Sequence, residues 1–488
     1  MQVVPSPEDF EDLAAKHEMV PVRTHVLGDR HTPVGAFERL AGDGPSFLLE
    51  SVEGGERWAR WSFIGWDPLF TVVSRNGQLV IDGSGPEVTD GDPLNALEEV
   101  LGAYDTPDLE GLPPLHSGLV GYLGYDAVRY VENLPGMPTD DRDLPEMVWQ
   151  AVGTLAAFDR FTQTITLIRN VPTPGGDTSG YASAVERLAT AVAALGEEAA
   201  AKARPVPLFD RRPETRTSVE RGEYLTGVER AIEHIRAGDV FQVVASVRFE
   251  TDFDGDPFTV YRALRLINPS PYLFFVRHEG MSIVGSSPEL MVRARDGKVH
   301  SRPIAGTRPR GATLLEDTAL EEELLADPKE RAEHVMLVDL ARNDLGRVSE
   351  YGSVSVDDLM IVERYSHVMH IVSGVSGTLR PEVGPVDVLR ATFPHGTVSG
   401  APKVRAMEII DTLEPVARGP YAGAVGYLDF SGNLDTAIAL RTMVAADGKA
   451  WVQAGAGVVA DSIPEKEWEE CLAKAGAVLE AIGGAQDV

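Results

Sequence analysis

The sequence predicts a layered α+β protein built from two large units, and three observations carry that expectation. Strand-like runs and helical patterns are interspersed without regular βαβ alternation. The chain has 488 residues, too many for one ordinary core. Residues 196–217, G-E-E-A-A-A-K-A-R-P-V-P-L-F-D-R-R-P-E-T-R-T, break the composition with three prolines after an Ala-rich helix expected near 181–195. The expected division is therefore 1–205, a linker at 206–217, and 218–488.

The elements follow in order. Ser6-Pro7-Glu8-Asp9 reads as a helix start. Strand patterns at 47–51, 69–74, 78–82 and 163–169 are separated by turns such as Asn76-Gly77 and Asp82-Gly83. S-G-L-V-G-Y-L-G-Y, 117–125, mixes strand residues with glycines, as where backbones pack closely. The second unit opens with an amphipathic helix carrying Tyr224, Leu225, Val228, Ile232 and Ile235 on one face, stopped by Gly238. Strands are expected at 240–249, 272–277, 281–285, 290–295, 368–377, 423–428 and 451–454. Helices are expected at 318–326, 328–345, 385–392, 401–412 and 464–482.

A hydrophobic content of 43% with 24% charged residues describes an ordinary globular chain. No apolar run approaches the roughly 18 to 20 residues of a membrane span. No basic-then-apolar leader is visible either, so a cytoplasmic location is expected. The single cysteine, Cys471, excludes an intrachain disulfide framework and cysteine-based zinc clusters; it reads as a packed bystander. A formal charge of −31 argues against nucleic acid or an anionic membrane as partner. It also means that any anionic substrate must be met by local cations.

Two Glu-x-x-Glu pairs open predicted helices, Glu330/Glu333 in D-P-K-E-R-A-E-H and Glu467/Glu470 in P-E-K-E-W-E-E-C. Positions i and i+3 share a helix face, so each segment presents two carboxylates together. Four carboxylates converging on one site would repel one another unless a hard cation such as magnesium sat among them. The alternative is a solvated helix face with capping: Asp327 and Glu330 around Pro328, and Ser462 and Glu465 around Pro464, both suit capping boxes. Glycine-rich turns stand at P-I-A-G-T-R-P-R-G (303–311), G-T-V-S-G-A-P-K (396–403) and A-G-A-G-V-V (454–459). Backbone amides at such turns can bind carboxylates. No G-x-G-x-x-G follows a strand and no P-loop occurs, so nucleotide binding is unsupported.

Together these segments resemble the chorismate-utilising enzymes, and within them the large subunits of anthranilate synthases. The resemblance spans nearly the whole chain and is strongest over 218–482, through I-R-A-G-D-V-F-Q-V-V-A-S, N-P-S-P-Y, G-S-S-P-E, V-D-L-A-R-N-D-L-G-R-V, G-A-V-G-Y and the glycine turns above. It implies a large α/β sandwich of stacked β-sheets flanked by helices. It implies magnesium held by Glu333 and Glu470, with Glu330 and Glu467 as supporting neighbours. The metal would grip the ring carboxylate of chorismate beside the amides of Gly306, Gly455 and Gly457. Tyr421, Arg441 and Lys474 match positions that bind the enolpyruvyl carboxylate, and Thr307 and Thr397 would add hydroxyl contacts. Glu289 matches the general acid for departure of the C4 hydroxyl, a role that needs a raised pKa. His370 matches a histidine supporting pyruvate elimination, its alternative being a satisfied core residue.

Two positions bear on the nucleophile. Gln242 stands where water-using relatives carry a lysine, and Ala305 stands where a second branch carries a lysine that attacks the ring. With both lysines absent the resemblance implies external ammonia: amination of C2, then loss of pyruvate to give anthranilate. Alternatives are release of 2-amino-2-deoxyisochorismate, an aminodeoxychorismate synthase, or a catalytically silent tryptophan-sensing subunit. Cys471 lacks a glutaminase context, so ammonia is expected from a separate glutamine amidotransferase, in a heterotetramer of two large and two small subunits. In residues 1–205 Glu50 and Ser51, with Asn268, Pro269, Ser270, Pro271 and Tyr272 from the second unit, resemble the two sides of a site for inhibitory L-tryptophan.

Overall fold

A computed structural model describes residues 1–51, 60–89, 91–197, 206–365 and 368–485. Two antiparallel sheets, of 12 and 11 strands among the described residues, lie face to face. Phe47, Val120, Tyr122, Phe274, Val425 and Val444 interleave between them as one core. The outer face of the larger sheet is covered by the helices Gly180–Gly196, Arg221–Ala237, Pro257–Ile267 and Pro464–Gly484. Pro93–Gly102, Pro328–Gly346 and Pro385–Thr392 cover the other sheet. The expected sandwich of stacked sheets flanked by helices is the fold observed. Among the described residues no helix is long and apolar enough to cross a membrane.

Both sheets draw strands from either side of the proline-rich 206–217 segment. Ser46–Glu50 pairs with Tyr272–His278 in the larger sheet, and Leu119–Leu123 pairs with Ala424–Leu428 in the other. Residues 198–205 of the composition break lie outside the described residues.

Local signals act largely as expected. Ser6 accepts from the amide of Asp9, and Gly238 ends its helix at φ 85°. Strands Met147–Ala151 and Thr154–Asp159 escape sequence reading because every residue in them is buried, which erases the period-2 signal. Ser355–Arg364 escapes for the opposite reason, as an irregular and mostly exposed edge paired to Val368–Thr378.

The two expected capping boxes need correction. Asp327 does cap Pro328–Gly346, accepting from the amides of Lys329 and Glu330 at 2.9 and 3.3 Å. Glu330, however, turns its carboxylate to Arg308 at 3.1 Å instead of reaching back to the cap. At the second helix Ile463 occupies the cap position without a side-chain bond, and Ser462 Oγ accepts from the amide of Val459. At the first helix the charged Arg308 guanidinium is a stronger partner for Glu330 than an amide at the cap.

Candidate active site

A cavity of about 260 Å³ opens between the two sheets. Glu289, Thr307, His370 and Thr397 line one part of it, and Tyr421, Arg441, Gly455, Gly457 and Lys474 another. Residues scattered over nearly two hundred positions of sequence thus share one space.

Glu289 follows the strand Met281–Ser287 and is 3% exposed. Its Oε1 accepts from Thr397 Oγ1 at 2.7 Å. Burial pushes its pKa up to about 8, against the lowering effects of Thr397 and the Lys474 charge. Glu289 is therefore a neutral acid near pH 7.

His370 lies opposite Thr307 in the pairing of Val368–Thr378 with Ile304–Pro309, where a bulge falls at Gly306. Gly306 takes φ 71°, a left-handed conformation that suits glycine. The bulge turns the Gly306 carbonyl to His370 Nδ1 at 2.9 Å. Nδ1 is accordingly the protonated nitrogen, which leaves Nε2 with its lone pair. Burial lowers the His370 pKa, opposed by the bond to Gly306 and reinforced by the Arg441 charge.

Lys474 Nζ donates to the Gly455 carbonyl at 2.9 Å and pairs with Glu470 at 2.7 Å. Arg441 sits at φ 49° between two strands, and burial lowers its pKa against the raising effects of Tyr421 and Glu470. These two cations offset the negative global charge where an anion would bind. The floor of the cavity has no room for side chains. A Cβ on Gly455 would stand 2.8 Å from Tyr421 Oη, and one on Gly457 would stand 2.6 Å from Gln242 Nε2.

Gln242 begins the strand Gln242–Asp252 and is 5% exposed. Its Nε2 donates to Glu333 Oε1 at 3.2 Å, and its Oε1 is buried with no hydrogen-bond partner among the described residues. The glutamate pairs face one another, since Glu333 is raised by burial and then by Glu330 and Glu470. Glu467 is likewise raised by burial, with Glu470 adding to it against a bond from Ser462. Among the described residues, however, no three acidic, histidine or cysteine side chains converge tightly enough to hold a metal. Glu330 is engaged by Arg308 and Glu470 by Lys474. The donors are hard oxygens whose mutual repulsion a divalent cation would relieve, so Glu333 and Glu470 suit magnesium in chemistry.

A second cavity of about 230 Å³ is lined by Leu49, Glu50, Ser51, Pro271 and Tyr272. Asn268, Pro269 and Ser270 instead line the first cavity, and Pro271 lines both. Pro288, Ile304 and Tyr365 are also common to the two. The Glu50 carboxylate is occupied by Tyr261, Arg265 and Arg160, at 2.6, 3.1 and 3.3 Å. Ser51 Oγ, by contrast, is buried with no partner among the described residues.

Several residues that build the site went unread in the sequence. Arg418, almost fully buried, pairs with Glu414 at 2.6 Å and donates to the carbonyls of Val244 and Val398. Glu414 holds Ser246, which accepts from Gln453. Glu414 and Arg418 stand in the loop after the helix Lys403–Leu413, where a spacing of four carries no expectation of contact. His395, beside Glu289, carried no signal: a lone histidine before a glycine turn has no periodicity.

A family model for chorismate binding enzymes matches residues 44–480, and the chain belongs to that family. It is 46% identical to anthranilate synthase component 1 of Acetivibrio thermocellus, with 99% of each chain covered. It is 50% identical to the protein of that name from Mycobacterium tuberculosis, over 99% of this chain and 96% of the other. Among solved structures it matches anthranilate synthase component I from Streptococcus pneumoniae with a TM-score of 0.79 and 37% identity, covering 93% of this chain and 99% of that one.

Proposed function

We propose that this chain is a chorismate-converting large subunit that makes anthranilate from chorismate and ammonia, releasing pyruvate and water, in tryptophan biosynthesis. The observation that carries the reading is the buried Glu289 carboxyl, neutral at pH 7 in a cavity that also holds two cations. Arg441 and Lys474 take the enolpyruvyl carboxylate, with Tyr421 beside them, and orient the ring. Ammonia adds at C2 while Glu289 gives its proton to the C4 hydroxyl, which leaves as water, and the ammonium formed at C2 then returns one proton to the Glu289 carboxylate. Gln242, its Oε1 unpartnered among the described residues, accepts an N–H of the ammonia, where a lysine would have activated water instead. His370 Nε2 then takes the C2 proton as the C3–oxygen bond breaks, releasing enolpyruvate that becomes pyruvate and leaving an aromatic ring.

Glu333 and Glu470 would hold magnesium, with Glu330 and Glu467 behind them; bound there, the ion would neutralise the ring carboxylate. Ammonia comes from a separate glutamine amidotransferase, in a cytoplasmic complex with two copies of each chain. Residues 1–205 carry the tryptophan-sensing portion. Tryptophan in the second cavity, against Ser51, Pro271 and Tyr272, acts on chorismate through the four residues common to both cavities, a reciprocal coupling.

The test is direct. Purified chain, chorismate, magnesium and ammonium at mildly alkaline pH should yield fluorescent anthranilate and pyruvate in equal amounts. An aminated ring that keeps its pyruvate, or no turnover, would overturn the reading.

A further inference from the structure

His395 stands at the N-cap of the short helix Gly396–Ser399, 6% exposed. Its Nδ1 faces the Thr397 amide at 3.4 Å and the Thr397 hydroxyl at 3.1 Å. The same hydroxyl lies 2.7 Å from Glu289 Oε1, whereas Nδ1 itself is 3.7 Å from that oxygen. Imidazole and carboxyl are thus too far apart for a good direct bond, and Thr397 bridges them. The function of this imidazole is not accounted for by substrate binding or by either chemical step.

We propose that His395 is a positioning residue which, through the Thr397 hydroxyl, keeps the general acid Glu289 loaded with its proton. This rests on the reading of Glu289 as the acid.

The argument is one of donor count. A hydroxyl has a single proton and donates once. When Glu289 is ionised, the Thr397 hydroxyl donates to Oε1. When Glu289 is protonated on Oε2, the oxygen left for the C4 hydroxyl, Oε1 becomes a weaker acceptor and the Thr397 hydroxyl turns to a better one. His395 Nδ1 is that acceptor, because a ring nitrogen facing a backbone N–H carries the lone pair and leaves the ring proton on Nε2. While His395 Nδ1 competes for the single Thr397 proton, the ionised Glu289 is deprived of its donor, which favours the protonated acid. Burial, assisted by the Lys403 charge, lowers the His395 pKa to about 3, so Nδ1 stays an acceptor throughout the working range.

Other charged and titratable groups face Glu289 from the packed elements. Lys474 comes from the helix Pro464–Gly484 and favours the ionised form. His370, Tyr421, Tyr365 and Arg441 share the cavity wall, and Lys403 stands on the far side of His395.

The test follows kcat/KM for chorismate against pH at constant free ammonia, since kcat/KM reports the free enzyme. The alkaline limb marks loss of the Glu289 proton. In His395→Ala that limb should move down by about one pH unit, the scale of one hydrogen bond in a dry site. His395→Asn places a carbonyl oxygen near the position of Nδ1 and should restore the limb. His395→Gln places its oxygen near Nε2 instead and should behave as alanine does. In a Thr397→Val background, His395→Ala should move nothing further. An unmoved limb in His395→Ala, failure of asparagine to restore it, or a persisting shift without Thr397 would overturn the proposal. Should the alanine variant unfold on heating at assay temperature, the Asn and Gln pair carries the same comparison. Glu289→Gln separates the two claims. If it retains turnover, the acid assignment fails; if it is inactive while His395 has no effect, only the present inference fails.

Discussion

Glu289 combines a functional requirement with a cost in stability. Its folded pKa of about 8 lies above the ordinary carboxyl range because burial disfavours the charge. A group raised in this way contributes most below its unfolded pKa, and that contribution is lost as pH rises through about 8. Glu289→Gln, which cannot ionise, should therefore melt higher than the parent at pH 9 by roughly 2 °C or more, while activity falls at least about 100-fold, the usual scale for a general acid. Calorimetry and an anthranilate assay check the two halves separately. Ser51 makes a different residue-scale prediction, because its buried hydroxyl has no hydrogen-bond partner among the described residues. Ser51→Ala should weaken tryptophan inhibition roughly 10-fold, one lost hydrogen bond, with little change in turnover. Unaltered inhibition would remove Ser51 from that site. Motif position named both residues; the acid's burial and the serine's missing partner are products of packing that no motif records.

At the scale of elements, the strand Lys449–Val458 and the helix Pro464–Gly484 act as one unit. Lys474 donates back to the Gly455 carbonyl, so the helix is fastened to the cavity floor it overlooks. The strand needs glycine where Tyr421 and Gln242 approach the backbone. Gly457→Ala would press on the Gln242 amide, a flexible side chain that can swing aside. The fold should survive, while the apparent KM for ammonia rises several-fold through the displaced amide. KM for chorismate should rise as well, because the added methyl stands on the cavity floor, and an unchanged melting temperature distinguishes this from general damage. The helices were readable from periodicity, and their acidic pairs from spacing. Which carboxylate meets a guanidinium was not readable: Glu330 goes to Arg308, a partner 22 positions away on another element.

The whole molecule is interleaved rather than divided. The strand Tyr272–His278 lies between Ser46–Glu50 and Met281–Ser287, and Ala424–Leu428 lies between Leu119–Leu123 and Leu434–Ile438. Cutting the chain at 206–217 would strip one neighbour from each and open the core between the sheets. The full chain should therefore unfold in one calorimetric transition, and 218–488 alone should lack a cooperative one. Two separate transitions would argue for independent units. At this scale the net charge of −31 is met locally by Arg441 and Lys474, which both line the cavity. The sequence by itself determined the family, the layered α+β class, most elements and the catalytic candidates, because periodicity, turn residues and long ordered motifs are local properties of the chain. Only the tertiary structure decided that the acid is buried, that a histidine stands behind it through Thr397, and that both sheets are built from the two ends of the chain. Those facts depend on desolvation and on distances between residues remote in sequence, and both arise only when the sheets close on one another.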